Sequence, residues 1–239
     1  MPWKTDVQGH ERPEGDFCPI CTLSIPLPMH DHAGFNVCCM KMICHGCIFA
    51  AEKRGMHDCP FCRTNRPVDD AGELAMVRAR VLKKDPEAIC KLAGWYFHGE
   101  LGVQKDMRKA VELWTEAAGL GSVQALNSLG ISYCLGNGVQ EDKVKGIRFL
   151  EKAAMQGHVD SRYQLGWVEE NKGNYDRAVR HLLISAKMGD EDSLKRIKDW
   201  FMSRLASKDQ YTEALKGYQE AVEETKSHDR DEAKRLGYY

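Results

Sequence analysis

A mainly α-helical fold, an array of stacked helix pairs preceded by a small cysteine-rich domain, is predicted by three observations. Eight of the ten cysteines fall between Cys18 and Cys62, as three CxxC pairs (Cys18/Cys21, Cys44/Cys47, Cys59/Cys62) and the adjacent Cys38 and Cys39. From Pro86 onward the chain echoes itself about every 36 residues. All eight prolines lie at or before Pro86, leaving 153 residues without one. The change of character falls between residues 67 and 86.

With 239 residues, 43% hydrophobic and 29% charged, composition describes a globular chain of one to two domains. A net charge of -1 leaves no electrostatic footprint for nucleic acid or anionic lipid. No run approaches the roughly 18 apolar residues of a membrane span. The opening MPWKTDVQGHERPEGD has no apolar core of a secretory signal and reads as a disordered tail over residues 1–16. The cysteines are therefore expected in a reducing compartment, cytoplasm or nucleus, where such clusters bind metal and do not form disulfides.

The cysteine-rich segment comes first. A CxxC pair turns the backbone tightly and aims two sulfurs at one ion, and Zn²⁺ takes four thiolates at roughly 2.3 Å in a closed structural site. Eight cysteines make two such sites. About 50 residues cannot bury enough apolar surface to offset the entropy of ordering them. Zinc, at roughly 10 to 16 kcal/mol per structural site, supplies the difference.

The order of the pairs, and above all the ending Cys59-Pro60-Phe61-Cys62-Arg63, resembles the RING family of ubiquitin ligases over residues 17–66. The resemblance implies an interleaved cross-brace: Cys18, Cys21, Cys44 and Cys47 on a first zinc, and Cys38, Cys39, Cys59 and Cys62 on a second. In the commonest RING pattern a histidine ligand stands where this chain has Lys41, whose ammonium has no lone pair for zinc. The segment is instead similar to the all-cysteine variant. Adjacent side chains diverge in extended backbone, so Cys38 and Cys39 need a kink, and His30 or His32 is the alternative to Cys38. His45 and His57 are read as bystanders. The resemblance further implies no covalent chemistry on this chain: a ubiquitin-loaded conjugating enzyme (E2) docks on an apolar groove, here Ile20, Ile48 and Pro60, and its thioester is held in a reactive conformation. Arg63 matches the residue that bridges E2 and ubiquitin. Ala51 stands where many relatives carry a groove tryptophan.

The connector, residues 67–85, carries Leu74, Val77, Val81 and Leu82 at helical spacing. The repeats occupy residues 86–226. Leu92-Ala93-Gly94-Trp95-Tyr96 returns as Leu129-Gly130-Ile131-Ser132-Tyr133, and Gly102-Val103-Gln104-Lys105-Asp106 as Gly138-Val139-Gln140-Glu141-Asp142. A third copy runs from Leu165-Gly166 through Tyr175-Asp176-Arg177-Ala178 without the glycine loop, and a degenerate fourth contains Tyr211-Thr212-Glu213-Ala214. The pattern resembles Sel1-like repeats, relatives of the tetratricopeptide repeat. It implies antiparallel helix pairs stacked as a solenoid, with a protein or peptide substrate on the repeats. Ala117, Ala118, Ala153 and Ala154 suit close helix contact, and Gly121, Gly157 and Gly189 suit helix ends. Trp95, Trp114, Trp167 and Trp200 are expected in the core, as are Cys90 and Cys134, and residues 227–239 as a frayed tail. The repeats hold no phosphate loop or nucleophile elbow. The sequence thus predicts a RING-type E3 ligase with two zinc ions and no nucleic-acid or membrane partner; a non-enzymatic zinc-stabilised scaffold is the alternative.

Overall fold

The computed structural model describes residues 11–238. The fold is mainly α-helical: a hairpin of β1 (Ala33–Asn36) and β2 (Lys41–Cys44) leads into α1 (His45–Lys53), and ten further helices follow among the described residues. No helix among them is long and apolar enough to cross a membrane.

The described residues divide into two compact units. One comprises the chain up to Phe35, Met42–Met56 and everything from Ala154; the other comprises Asn36–Lys41 and His57–Ala153. The second unit contains α2 (Asp70–Val81), α3 (Pro86–His98), α4 (Met107–Gly119), α5 (Val123–Leu135) and, up to Ala153, α6 (Lys143–Met155). The starts of α2 to α5 have local causes. Asp69 caps α2, Asp85 caps α3 with Pro86 in the first turn, Asp106 caps α4 and Ser122 caps α5, each side chain accepting an otherwise unpaired N–H. The core of this unit gathers Ile89, Ala93, Ala110, Trp114, Ala117, Ala125 and Leu129.

The first unit contains α7 (Val159–Asn171), α8 (Tyr175–Lys187), α9 (Glu191–Met202), α10 (Lys208–Glu224) and α11 (His228–Arg235) besides α1. Its helical core gathers Ala178, Val179, Leu182, Ala186, Ile197, Trp200 and Ala214. Gly157 (φ 84°) and Gly189 (φ 98°) adopt the left-handed conformation just before the caps His158 and Asp190, as Gly121 (φ 102°) does before Ser122. A glycine that reverses the chain, followed by a side chain that caps the next helix, is thus the repeat's punctuation.

The Leu-Gly signature has a packing reason. A Cβ on Gly130 would lie 2.6 Å from the Leu150 side chain, and one on Gly166 2.9 Å from Leu182; in the first copy the small Ala93 shares its core with Trp114. The two helices of a pair also clasp each other in a repeating way. Asp106 N–H donates to Tyr96 O, Asp142 N–H to Tyr133 O, and Asn174 N–H to Glu169 O. Lys109 Nζ lies 2.8 Å from Tyr96 Oη, and Lys145 Nζ 2.8 Å from Tyr133 Oη. In the third copy Glu169 and Arg177, 3.8 Å apart, take those two places as an ion pair.

Several expectations are corrected. Trp95, Trp114 and Trp200 are buried, but Trp167 is 58% exposed, because helical spacing defines a face of α7 and not what covers it. Cys90 is buried, while Cys134 is half-buried. The segment read as a frayed C-terminal tail forms α11, capped by Ser227 and packed on α1. Of the tail read over residues 1–16, residues 1–10 lie outside the described residues. Residues 11–16 are ordered, with Arg12 donating to the Asp16 carboxylate at 3.0 Å and to Ile25 O at 2.6 Å.

Candidate metal centres

Two groups of four cysteine sulfurs are brought together, Cys18/Cys21/Cys44/Cys47 and Cys38/Cys39/Cys59/Cys62, with all sulfurs of a group within 4.8 Å of one another. The pairs interleave along the chain as the cross-brace requires, and each compact unit holds one complete group.

Backbone geometry creates the groups. In the first knuckle Cys18 N–H donates to Leu23 O and Thr22 N–H to Cys18 O; in the last, Cys59 N–H donates to Thr64 O and Arg63 N–H to Cys59 O. The two knuckles therefore fold alike. The residue after the second cysteine takes positive φ in both, 61° at Thr22 and 62° at Arg63, turning the chain back so that both sulfurs of a pair point to one centre. The adjacent pair is reconciled by a turn: Cys39 N–H donates to Asn36 O and Met40 adopts φ 53°, so Cys38 and Cys39 are not in extended backbone and their sulfurs converge. Cys44 is the N-cap of α1 and Cys47 lies in its first turn.

The distances fit a tetrahedral ion. Four sulfurs at roughly 2.3 Å from a common centre are about 3.8 Å apart along each edge. Cys21 and Cys44 are 3.8 Å apart, Cys39 and Cys59 3.8 Å, and Cys38 and Cys62 3.4 Å. No pair is bonded as a disulfide. Electrostatics points the same way. The Cys18 thiol is pulled far below its usual value because Cys21, then Cys44 and Cys47, donate to its sulfur. Cys47 is pushed far up, chiefly by its hydrogen bond with Cys18, and Cys39 to about 12 by burial and the neighbouring Cys59. Cys18 and Cys21 in the first group and Cys62 in the second are held below the ordinary thiol value while Cys44, Cys47, Cys38 and Cys39 are pushed above it, and a divalent cation would supply the charge that lets all four of a group ionise. A zinc ion held by such a group would contribute only structure, since a closed four-sulfur shell leaves no open position.

Neither His30 nor His32 joins a group; His30 is exposed and His32 half-buried. His45 begins α1 and His57 is exposed, both outside the sulfur shells. Lys41 is exposed. Among the residues matched to the partner groove, Ile20 is 42% exposed, Pro60 half-buried and Arg63 exposed, whereas Ile48 is 7% exposed and packs on Gly34. Ala51 is buried as well.

Two arginines that sequence reasoning did not single out sit behind the centres. Arg80, in α2, donates Nη1 to Cys38 O at 3.0 Å and pairs with the helix-capping Asp85. Arg230, in α11, donates to Leu23 O and Ser24 O and lies 3.5 Å from Cys21 Sγ. Only the polar repeat-free segment around Arg230 hinted at it, and that hint does not identify a docked helix.

The Sel1 repeat family model matches residues 86–122, 123–158 and 160–190, leaving the cysteine groups outside the matched residues. Chitin synthase regulatory factor 4 of Schizosaccharomyces pombe is 21% identical over 154 residues, 64% of this chain and 24% of that protein. Chitin synthase regulatory factor 3 of the same organism is 28% identical over 117 residues, 46% of this chain and 12% of the other. This chain thus spans a quarter or less of the length of either relative. A Sel1 repeat protein from Oxalobacter formigenes has a similar structure, with TM-score 0.57 and 21% identity over 75% of this chain and 71% of its own. So does c5321, a protective antigen of uropathogenic Escherichia coli with an SLR fold, with TM-score 0.55 and 26% identity over 81% and 40% of the two chains. Repeated Leu-Gly contacts, glycine-cap junctions and helix clasps are therefore those of Sel1 repeats, which the chain carries over residues 86–190 within a mainly α-helical fold.

Proposed function

We propose that the protein is a RING-type E3 ubiquitin ligase, whose zinc domain engages a ubiquitin-loaded E2 and whose Sel1 repeats hold a protein substrate. The observation that carries this reading is the interleaved pairing of the two four-cysteine groups, an arrangement that three CxxC motifs alone do not require. Ile20 and Arg63 stand in the open at the two knuckles. An exposed isoleucine suits an apolar contact, and arginine's planar fork suits bridging two carbonyls. Catalysis of this type is positioning and preorganised hydrogen bonding, so the chain needs no nucleophile of its own.

The test is lysine discharge from a panel of ubiquitin-loaded E2 enzymes. The wild type accelerates discharge with at least one E2. Arg63→Ala lowers the rate about tenfold or more, the scale of a lost preorganised donor, and Ile20→Ala weakens E2 binding by about 1 to 2 kcal/mol. A protein that carries two zinc ions and accelerates none of the E2s overturns the reading.

A second reading, a non-enzymatic scaffold, rests on the burial of Ile48 and of the small Ala51, which leaves the two groove positions matched on α1 without an exposed large apolar side chain. The name of the yeast relatives, regulatory factors of chitin synthase, accords with an adaptor. This reading expects stable capture of a partner without ubiquitin transfer.

A further inference from the structure

We propose that the C-terminal helix α11 is a strap locked by the first metal centre, with Arg230 donating to the Cys21 thiolate so that docking of the helix and retention of the ion stabilise each other. The proposal rests on the reading that zinc fills the Cys18/Cys21/Cys44/Cys47 group.

Arg230 is 5% exposed. Its Nη1 donates to Ser24 O at 2.7 Å and to Thr225 O at 2.6 Å, and its Nη2 to Leu23 O at 3.3 Å while lying 3.5 Å from Cys21 Sγ. Of these four acceptors only the sulfur carries full charge, as a zinc thiolate. A zinc ion with four thiolates has net charge of minus two, and a guanidinium against its edge is a charge-assisted donor to it. Leu23 and Ser24 belong to the turn that follows the Cys18/Cys21 knuckle, so one side chain grips both a ligand and its supporting loop.

The same helix holds the other ligand pair. Cys44 and Cys47 sit at the start of α1, and α11 packs along α1 where Gly46 leaves room: a Cβ there would lie 2.7 Å from Arg230 N. Farther along, Lys53 pairs with Glu232 at 2.9 Å. Tyr238 donates its hydroxyl to the Glu52 carboxylate and sets its ring edge-on to Phe49, centroids 5.5 Å apart. The strap therefore spans both pairs of one metal shell from more than 180 residues away in sequence. Coupling of this kind is reciprocal: what loosens α11 loosens the ion, and loss of the ion frees α11 and uncovers Phe49.

The experiment uses the full chain loaded with zinc and challenged with a chelator. Zinc is counted by native mass spectrometry, and released cysteines are mapped by alkylation. In Arg230→Gln, one ion leaves about 10- to 100-fold faster than in the wild type, the range for a lost outer-shell partner, and Cys18, Cys21, Cys44 and Cys47 are alkylated before Cys38, Cys39, Cys59 and Cys62. Arg230→Lys, which keeps charge without the fork, recovers part of the difference. In the cadmium-substituted protein, one of the two ¹¹³Cd resonances moves in Arg230→Gln, a readout that mere packing does not predict. Hydrogen exchange on the wild type needs no variant: the α11 amides lose protection when the first centre is emptied. Wild-type release and unmoved ¹¹³Cd signals in Arg230→Gln overturn the strap, as does equal acceleration at both centres or unchanged α11 exchange on chelation. A protein that binds no zinc overturns both the strap and the metal reading, whereas two retained ions with an indifferent α11 overturn the strap alone.

Discussion

At the scale of single residues, His158 is an unusual helix cap. Its Nδ1 accepts from Ser161 N–H at 3.2 Å at the start of α7, the task that Asp85, Ser122 and Asp190 perform in the other copies. An imidazole caps only while that nitrogen is unprotonated. Burial, opposed by Asp160 and Asp16, holds its pKa below the ordinary histidine value. The folded state thus binds fewer protons than the unfolded state once pH falls to about 6.5, and its stability is present above that pH and lost below it. His158→Asn keeps an acceptor that does not titrate. In urea denaturation between pH 7.5 and 5.5, the wild type loses up to about 1.4 kcal/mol per pH unit relative to the variant below pH 6.5. Parallel pH dependence of the two proteins would remove His158 as the cause.

At the scale of elements, the crossing of α5 and α6 has glycine on both sides, Gly130 and Gly146. A Cβ on Gly146 of α6 would meet Cys134 Sγ at 2.5 Å and Gly130 O at 2.8 Å in α5. In an exposed helix, Gly→Ala stabilises by about 1 kcal/mol; here the added methyl strikes backbone, so overpacking wins and Gly146→Ala destabilises by about 1 to 3 kcal/mol. Thermal unfolding checks the sign, which Gly94→Ala, with nothing within 4 Å of the added carbon, should reverse or leave flat. The Leu-Gly repeat was legible in the sequence because a fixed period exposes it; that its glycine faces a leucine of the next helix was not. That eight cysteines make two four-thiolate groups was legible from thiolate chemistry and the CxxC spacing, whereas their interleaved sharing was what the resemblance to RING domains implied. The turn that makes Cys38 and Cys39 converge was legible only as a need. Nor could spacing place Trp167, since helical periodicity defines a face but not what covers it. The docking of α11 was illegible for a stronger reason. Its sequence, HDRDEAKR, has almost no apolar stripe, and what holds it is one arginine, an ion pair and a tyrosine against partners far away in the chain.

At the scale of the whole molecule, the two kinds of structure are stabilised by different physics, and removing the metal separates them. The knuckles are short backbone turns, and zinc in the two groups would contribute roughly 10 to 16 kcal/mol per site, as much as the entire stability of an ordinary domain. The repeat helices bury alanine, leucine, isoleucine and tryptophan against one another in cores that contain none of the eight clustered cysteines. Native mass spectrometry of the intact protein should therefore count two zinc ions. Removing them with a chelator should open residues 18–66 to proteases and cost the ellipticity of α1 and α11, while α3–α5 and α7–α10 keep theirs. The repeats should then melt in a separate transition whose midpoint does not depend on free zinc, because a ligand stabilises only the structure that binds it. Collapse of the whole helical signal on chelation would mean instead that the repeats lean on the metal centres for their stability, and that the helical cores seen here are too small to stand by themselves.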